Sequence, residues 1–188
     1  MAEGDTIRRL ADRFEATLVG AVVAASAPNP RGRAAGVERL DGRTLERAQA
    51  RGKHLLLDFG ELSLHSHLGM SGAWQLEREG ARWRRPRGAA WAVLAGGGWE
   101  AAQFGGPTLA VMTSVKLRRH PQLAGLGADV LGEEFDPGAV AGAIAAEPGR
   151  QLGDALLDQR LVAGIGNIFK SEACFAAEVS PWRPVGEL

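Results

Sequence analysis

LLDQRLVAGIGNIFKSEACFA, residues 156–176, sets two glycines inside an apolar run. A helix disfavours Gly164 and Gly166, and a strand disfavours Asn167-Ile168-Phe169-Lys170-Ser171-Glu172. The stretch therefore reads as a tight double turn, Val162 to Gly166, between a helix that starts at Gln151 and ends between Asp158 and Leu161 and a second helix over Ile168 to Ala177. Asn167 is placed to cap the second helix. A helix start preceded by glycines leaves N–H groups unobstructed and receptive to an anion, phosphate above all. A plain helical hairpin in which Asn167 caps only its own helix fits the same residues.

Upstream, Asp136-Pro137 reads as a cap followed by proline at the first helical position, opening a helix over Gly138 to Ala146. The chain from about residue 122 is thus helical. The first part differs. Ile7, Leu10, Ala11, Phe14 and Leu18 share one helical face between Asp5-Thr6 and Gly20. Short β-like runs follow: Val22-Val23-Ala24, His54 to Phe59, the alternating Leu62 to Leu68, Ala73 to Leu76, Trp91 to Leu94 and Thr108 to Val115, with Gly96-Gly97-Gly98 as a hairpin turn. The expected fold class is α+β: an antiparallel β-sandwich flanked by an N-terminal helix, residues 1–121, and a helical domain, residues 122–188.

Composition narrows the function. With 188 residues, 45% of them hydrophobic, the chain can bury a core. It has no long apolar run and no signal-like start, so a soluble, cytoplasmic protein with no membrane partner is expected. A single cysteine, Cys174, and four histidines exclude an internal disulfide and make a four-ligand zinc site unexpected; Cys174 reads as a small buried residue. His65 and His67 share a strand face without carboxylate or thiol partners, a poor metal site. Net charge is zero, yet residues 1–120 carry +6 and residues 121–188 carry −6. Cations cluster at Arg31 to Lys53, Arg78 to Arg87 and Lys116 to Arg119. Each cluster suits phosphate or, equally, a solvated loop.

Four blocks carry a family resemblance. LLDQRLVAGIGNIFKSE resembles the helix-two-turn-helix motif of the formamidopyrimidine-DNA glycosylase and endonuclease VIII family. Met1-Ala2-Glu3-Gly4-Asp5-Thr6 resembles its Met-Pro-Glu-Gly-Asp-Thr start, Arg51-Gly52-Lys53-His54-Leu55 its catalytic-lysine turn, and His65 to Gly72 its intercalation-loop segment. The blocks stand in family order from residue 1 to residue 172. The resemblance implies a bifunctional DNA glycosylase and abasic-site lyase whose partner is damaged double-stranded DNA, acting as a monomer. By analogy with the endonuclease VIII branch, its substrates are oxidised pyrimidines and abasic sites.

The chemistry suits the residues. Removal of Met1 would free the Ala2 amine to attack C1′ of a flipped nucleotide and form a Schiff base. An α-amine, with a reference pKa of roughly 7.7–8.0, keeps a neutral fraction that a lysine lacks. Glu3 is implied as general acid and base, and Lys53 as the cation that contacts the lesion phosphate and assists elimination. The resemblance also assigns Met70 to fill the vacated space, Gly164, Gly166, Asn167, Lys170 and Arg160 to the DNA-binding turn, and Glu172 to the lesion pocket. Asp158 holds the double turn together, while Phe104, Trp83, Trp91 and Trp99 are core or structural residues.

Two departures qualify the expectation. Ala2 replaces the usual proline, so the permanently cationic iminium of a secondary amine is lost; a weak or inactive binder of damaged DNA is the competing reading. The chain also stops at Trp182 to Leu188, where the resemblance implies further helices and a four-cysteine zinc finger. It reads as truncated, with no cofactor in residues 1–188. RNA binding is a third reading, because helix-two-turn-helix elements also occur in a small-subunit ribosomal protein. Glu3 and Lys53 argue against it.

Overall fold

The computed structural model describes residues 2–188. Helix α1, Gly4–Thr17, forms as its spacing dictates: Ile7, Leu10, Ala11 and Phe14 are all buried on one face, and Arg9 and Asp5 pair across one turn outside. The chain then builds β1 (Val22–Ser26), the short helix α2 (Pro30–Ala34), β2 (Arg43–Thr44), β3 (Arg47–Arg51), β4 (His54–Phe59), β5 (Leu62–His67), β6 (Ala73–Arg78), β7 (Ala92–Gly96), β8 (Trp99–Phe104) and β9 (Thr108–Thr113). These strands form two antiparallel sheets, ordered β2-β1-β7-β8-β6 and β3-β4-β5-β9. Phe14, Leu55, Leu57, Leu64, Leu76 and Leu94 fill the space between them. Phe14 meets Trp74 edge to face with centroids 5.2 Å apart, a geometry that aromatic quadrupoles favour.

The sandwich is the one expected, with three strands added, the two-residue β2, β3 and β8. Arg47–Arg51 is polar but places Ala48 inward and pairs with β4 along its whole length. Trp99–Phe104 carries Glu100 and Gln103, weak strand formers; β6 and β7 on either side impose the strand on them. The glycine hairpin is as read, Gly96 lying opposite Trp99. The last strand ends at Thr113, earlier than expected, because its hydroxyl accepts the N–H of Lys116 and caps α3 (Ser114–Arg118). With α4 (Pro121–Ala124), this helix lays Leu117 and Leu123 on Leu56 and Met112, on the outer face of the four-stranded sheet.

Beyond it lie β10 (Ala128–Asp129), α5 (Pro137–Ala145), α6 (Leu152–Leu157), β11 (Val162–Ala163) and α7 (Asn167–Ala176). Asp136 caps α5 through the N–H groups of Gly138 and Ala139. Helix α6 is shorter than the longer reading, because Asp158 turns extended. Val162-Ala163 is a parallel rung with Ala128-Asp129 rather than free turn. Among the described residues no helix is long and apolar enough to cross a membrane.

Candidate active site

Three N–H groups at the start of α7 converge on one carboxylate. Oε1 of Glu3 accepts from Ile168 at 2.8 Å, and Oε2 accepts from Gly166 and Phe169, each at 3.1 Å. Glu3 is 1% exposed. A buried carboxylate needs donors, and the positive end of a helix supplies both donors and field. An ionised carboxylate offers about four acceptor directions, so roughly one, on Oε1, stays open to another group.

This arrangement corrects the sequence reading of the turn. The N-cap position is Gly166, not Asn167, whose exposed side chain meets Nζ of Lys170 at 3.5 Å. The anion at the turn is the chain's own Glu3, so these N–H groups are not free to clamp a phosphate. Gly164 and Gly166 are buried, and their assigned DNA contact becomes a scaffold for Glu3. A Cβ on Gly166 would lie 2.4 Å from Cδ of Glu3, and one on Gly4 would lie 2.9 Å from Cα of Gly164. Gly4 also donates its N–H to the carbonyl of Gly164 at 2.9 Å.

Lys53 reaches the same centre by a second route. Gly52 has φ 55°, and its N–H donates to Oδ2 of Asp129 at 2.7 Å. Asp129 receives Leu131 N–H on its other oxygen and pairs in register with Ala163, one residue before Gly164. The lysine turn and the Glu3 pocket thus hang on one two-residue ladder. Burial pulls the Lys53 ammonium below its ordinary pKa, and the charge of Glu3 pulls it partly back up. Asp129 is not marked by the sequence; an Asp directly before an apolar pair, Val130-Leu131, is too common a pattern.

Ala2 N lies 3.4 Å from the carbonyl of Gly69. Met1, whose removal the sequence reading requires, lies outside the described residues. Ala2 and Met70 line one open cavity of about 460 Å³ together with Thr6, Arg9, Arg13 and Trp74. Met70 is 79% exposed, so it is no core methionine. Arg160 holds Asp158 by two side-chain contacts of 2.9 and 2.7 Å, yet its side chain remains 78% exposed. With Arg150 on the same carboxylate, Asp158 is held well below the usual carboxylate range and ties the turn as expected. Glu172 stands exposed on α7 and does not line the cavity at Ala2. Cys174 is buried and free.

The four histidines gather beside the lysine turn, which the sequence did not reveal. Register sets His54 opposite His67 and Leu56 opposite His65. Nδ1 of His54 lies 2.8 Å from Nε2 of His65, while His67 packs on His54 and His120 on His65. Burial and the neighbouring rings push His54 down to about 3 and His65 down to about 4. Both rings are thus neutral at pH 7, one donating its N–H to the bare nitrogen of the other. Among the described residues no group of three or more His, Cys, Asp or Glu is arranged to hold a metal.

Comparison with known proteins adds three findings. The formamidopyrimidine-DNA glycosylase N-terminal domain matches residues 1–96, and the formamidopyrimidine-DNA glycosylase H2TH domain matches residues 126–188. The chain is 41% identical to a probable endonuclease 8 2 of Streptomyces coelicolor, covering 100% of this chain and 67% of that one. It is 36% identical to the DNA-(apurinic or apyrimidinic site) lyase Nei2 of Mycolicibacterium smegmatis, covering 100% and 71%. The fold matches MutM in complex with carbocyclic 8-oxo-G containing DNA at TM-score 0.81 and 20% identity, over 99% of this chain and 73% of that chain. It also matches Lactococcus lactis Fpg bound to abasic-site DNA at TM-score 0.78 and 21% identity, over 100% and 70%.

Proposed function

The chain belongs to the formamidopyrimidine-DNA glycosylase and endonuclease 8 family of DNA repair glycosylases and abasic-site lyases, and from that premise we propose that it works through a Schiff base on Ala2, on oxidised pyrimidines and abasic sites. The observation that carries this reading is the fixed carboxylate of Glu3, beside the Ala2 backbone and within the field of Lys53.

In this mechanism the free Ala2 amine adds to C1′ of the flipped nucleotide, and the C1′–base bond breaks. One amine proton leaves with the departing base; the open acceptor direction on Glu3 Oε1 takes the other and passes it to the ring oxygen as the C1′–ring oxygen bond breaks, giving a ring-opened imine between Ala2 and C1′. Deprotonation at C2′ then expels the 3′ phosphate, and a second elimination expels the 5′ phosphate. General acid and base work of this kind contributes roughly 10²–10⁴-fold. Lys53, half-buried at its turn, sits where a lesion phosphate would gain a cation whose desolvation strengthens the contact. Met70, exposed on the rim of the Ala2 cavity, is suited to enter the space the nucleotide leaves. Lys170 and Arg160 offer cations on the turn's outer side, and Asn167, whose Oδ1 meets Lys170, offers its exposed amide.

One observation favours a second reading, a weak or inactive binder. Ala2 gives a primary amine, whose imine is less cationic at neutral pH than a proline iminium and so a poorer electron sink. Incubation with an abasic-site duplex under borohydride separates the two. A covalent adduct supports the lyase; binding without an adduct leaves only the binder.

A further inference from the structure

The arginine-rich stretch Ala81-Arg82-Trp83-Arg84-Arg85-Pro86-Arg87 is left unused by the site described above. It does not hang free. Trp83 is buried against Ala90, Val93, Ala102 and Phe104 on the outer face of the five-stranded sheet. Its indole N–H donates to Glu100 at 2.8 Å, and Arg87 pairs with the same carboxylate while stacking over Trp83 at 4.0 Å. Arg84 N–H reaches Oε1 of Gln75 at 3.2 Å, folding the segment back along β6. One arginine, Arg87, thus neutralises the buried acid of this patch, Glu100. Arg82, Arg84 and Arg85 are exposed, and among the described residues none of the three forms an ion pair, although Glu77 and Glu79 precede them closely.

Position matters as much as charge. The Arg85 guanidinium lies 5.5 Å over the Phe104 ring, and Phe104 is the register partner of Ala73, three residues after Met70. The Met70 turn is closed by Gly72 N–H on the carbonyl of Leu68 at 2.8 Å. Of the three unneutralised guanidiniums, that of Arg85 therefore stands at the Met70 end of the sheet, with Arg84 tied beside it through its backbone at Gln75, and Arg82 precedes them on the same anchored segment. A merely solvated loop has no need of a buried tryptophan anchor and a dedicated acid to hold its shape.

We propose that Arg82, Arg84 and Arg85 form a second nucleic-acid contact, gripping the phosphodiester backbone of the duplex outside the Ala2 cavity on the Met70 side. The ligand is the phosphate backbone itself, read without sequence, for which planar guanidiniums are well matched. The assignment rests on the family reading of the cavity as the place where DNA binds.

The test is the salt dependence of binding to a duplex carrying a stable abasic-site analogue. Each lost phosphate contact removes about 0.9 from the slope of log affinity against log salt, so Arg82→Ala/Arg84→Ala/Arg85→Ala flattens it by about 2 to 3. Affinity near physiological salt falls on the order of tenfold or more, and Arg82→Lys/Arg84→Lys/Arg85→Lys keeps the slope. Borohydride trapping at saturating protein stays at the wild-type level in both variants, since the residues lie outside the catalytic group. Were the alanine variant to fold poorly, the single reversal Arg84→Glu reads the same slope. An unchanged slope overturns the proposal, whether the patch then serves an acidic protein surface or nothing. Failure of the wild type to form an adduct would instead count against the lyase reading, leaving the slope comparison intact.

Discussion

Gly166 and Glu3, 163 positions apart in sequence, share one space: the N–H of Gly166 donates to Oε2 of Glu3, and a Cβ on Gly166 would lie 2.4 Å from the carboxylate carbon. No side chain fits there unless Glu3 leaves. Gly166→Ala is therefore expected to displace the carboxylate and lower lyase turnover by about 10²-fold or more, matching Glu3→Gln. The two variants differ in stability. Glu3→Gln keeps the fold within about 1–2 kcal/mol, whereas Gly166→Ala costs about 1–3 kcal/mol through overpacking. Melting curves alongside trapping rates check both, and normal turnover in Gly166→Ala would separate the catalysis from this contact.

Asp129 links the lysine turn to the helical half through the Gly52 N–H. Asp129→Ala leaves that donor without its partner, at a cost of about 1–3 kcal/mol. Lys53 should then lose its fixed position, so that elimination slows more than adduct formation. Single-turnover measurement of both steps tells whether they part; equal slowing would mean that Asp129 acts on stability alone.

The histidine pair makes stability depend on acid. His54 and His65 have folded pKa values near 3 and 4, below the unfolded value near 6.5. The unfolded chain binds more protons as pH falls, so the stabilisation is complete above about pH 6.5 and is lost progressively toward pH 4. Each group contributes a slope of about 1 kcal/mol per pH unit in that window. Urea midpoints across pH 4–7 measure it. Replacing His65 by Leu should flatten the curve, and an unaltered curve would exclude the pair as its cause.

Ala2→Pro should raise strand cleavage of an abasic duplex several-fold at neutral pH, because the secondary amine forms a permanently cationic iminium. Gel assay of the cleaved product at fixed protein suffices. An unchanged rate would count against the residue-2 amine as nucleophile.

Much of this was legible locally and some was not. Periodicity placed α1 and most strands, and Asp136-Pro137 marked the start of α5, because those signals arise within a few residues. Strand β8 escaped, since Glu100 and Gln103 are polar and only their neighbours on both sides make them strand. At the site, family resemblance drew attention to Glu3, Lys53 and the glycine turn. Their mutual geometry was invisible: nothing near Asn167 says that its helix is capped by a carboxylate from the far end of the chain. Asp129 and the histidine cluster were hidden for the same reason, being products of sheet register and a two-residue ladder. The turn's appetite for an anion is legible in its N–H groups; that three of them, at Gly166, Ile168 and Phe169, are taken by Glu3 is not.

The central claim is that Ala2 carries the reaction beside a Glu3 held by α7. The most direct measurement is peptide mass mapping of the borohydride-reduced adduct with an abasic-site duplex, using protein whose N-terminus is verified free of Met1. The deoxyribose remnant is expected on the amine of Ala2 in the wild type, and at strongly reduced yield in Glu3→Gln. A remnant on Lys53, or DNA binding with no adduct at all, would contradict it.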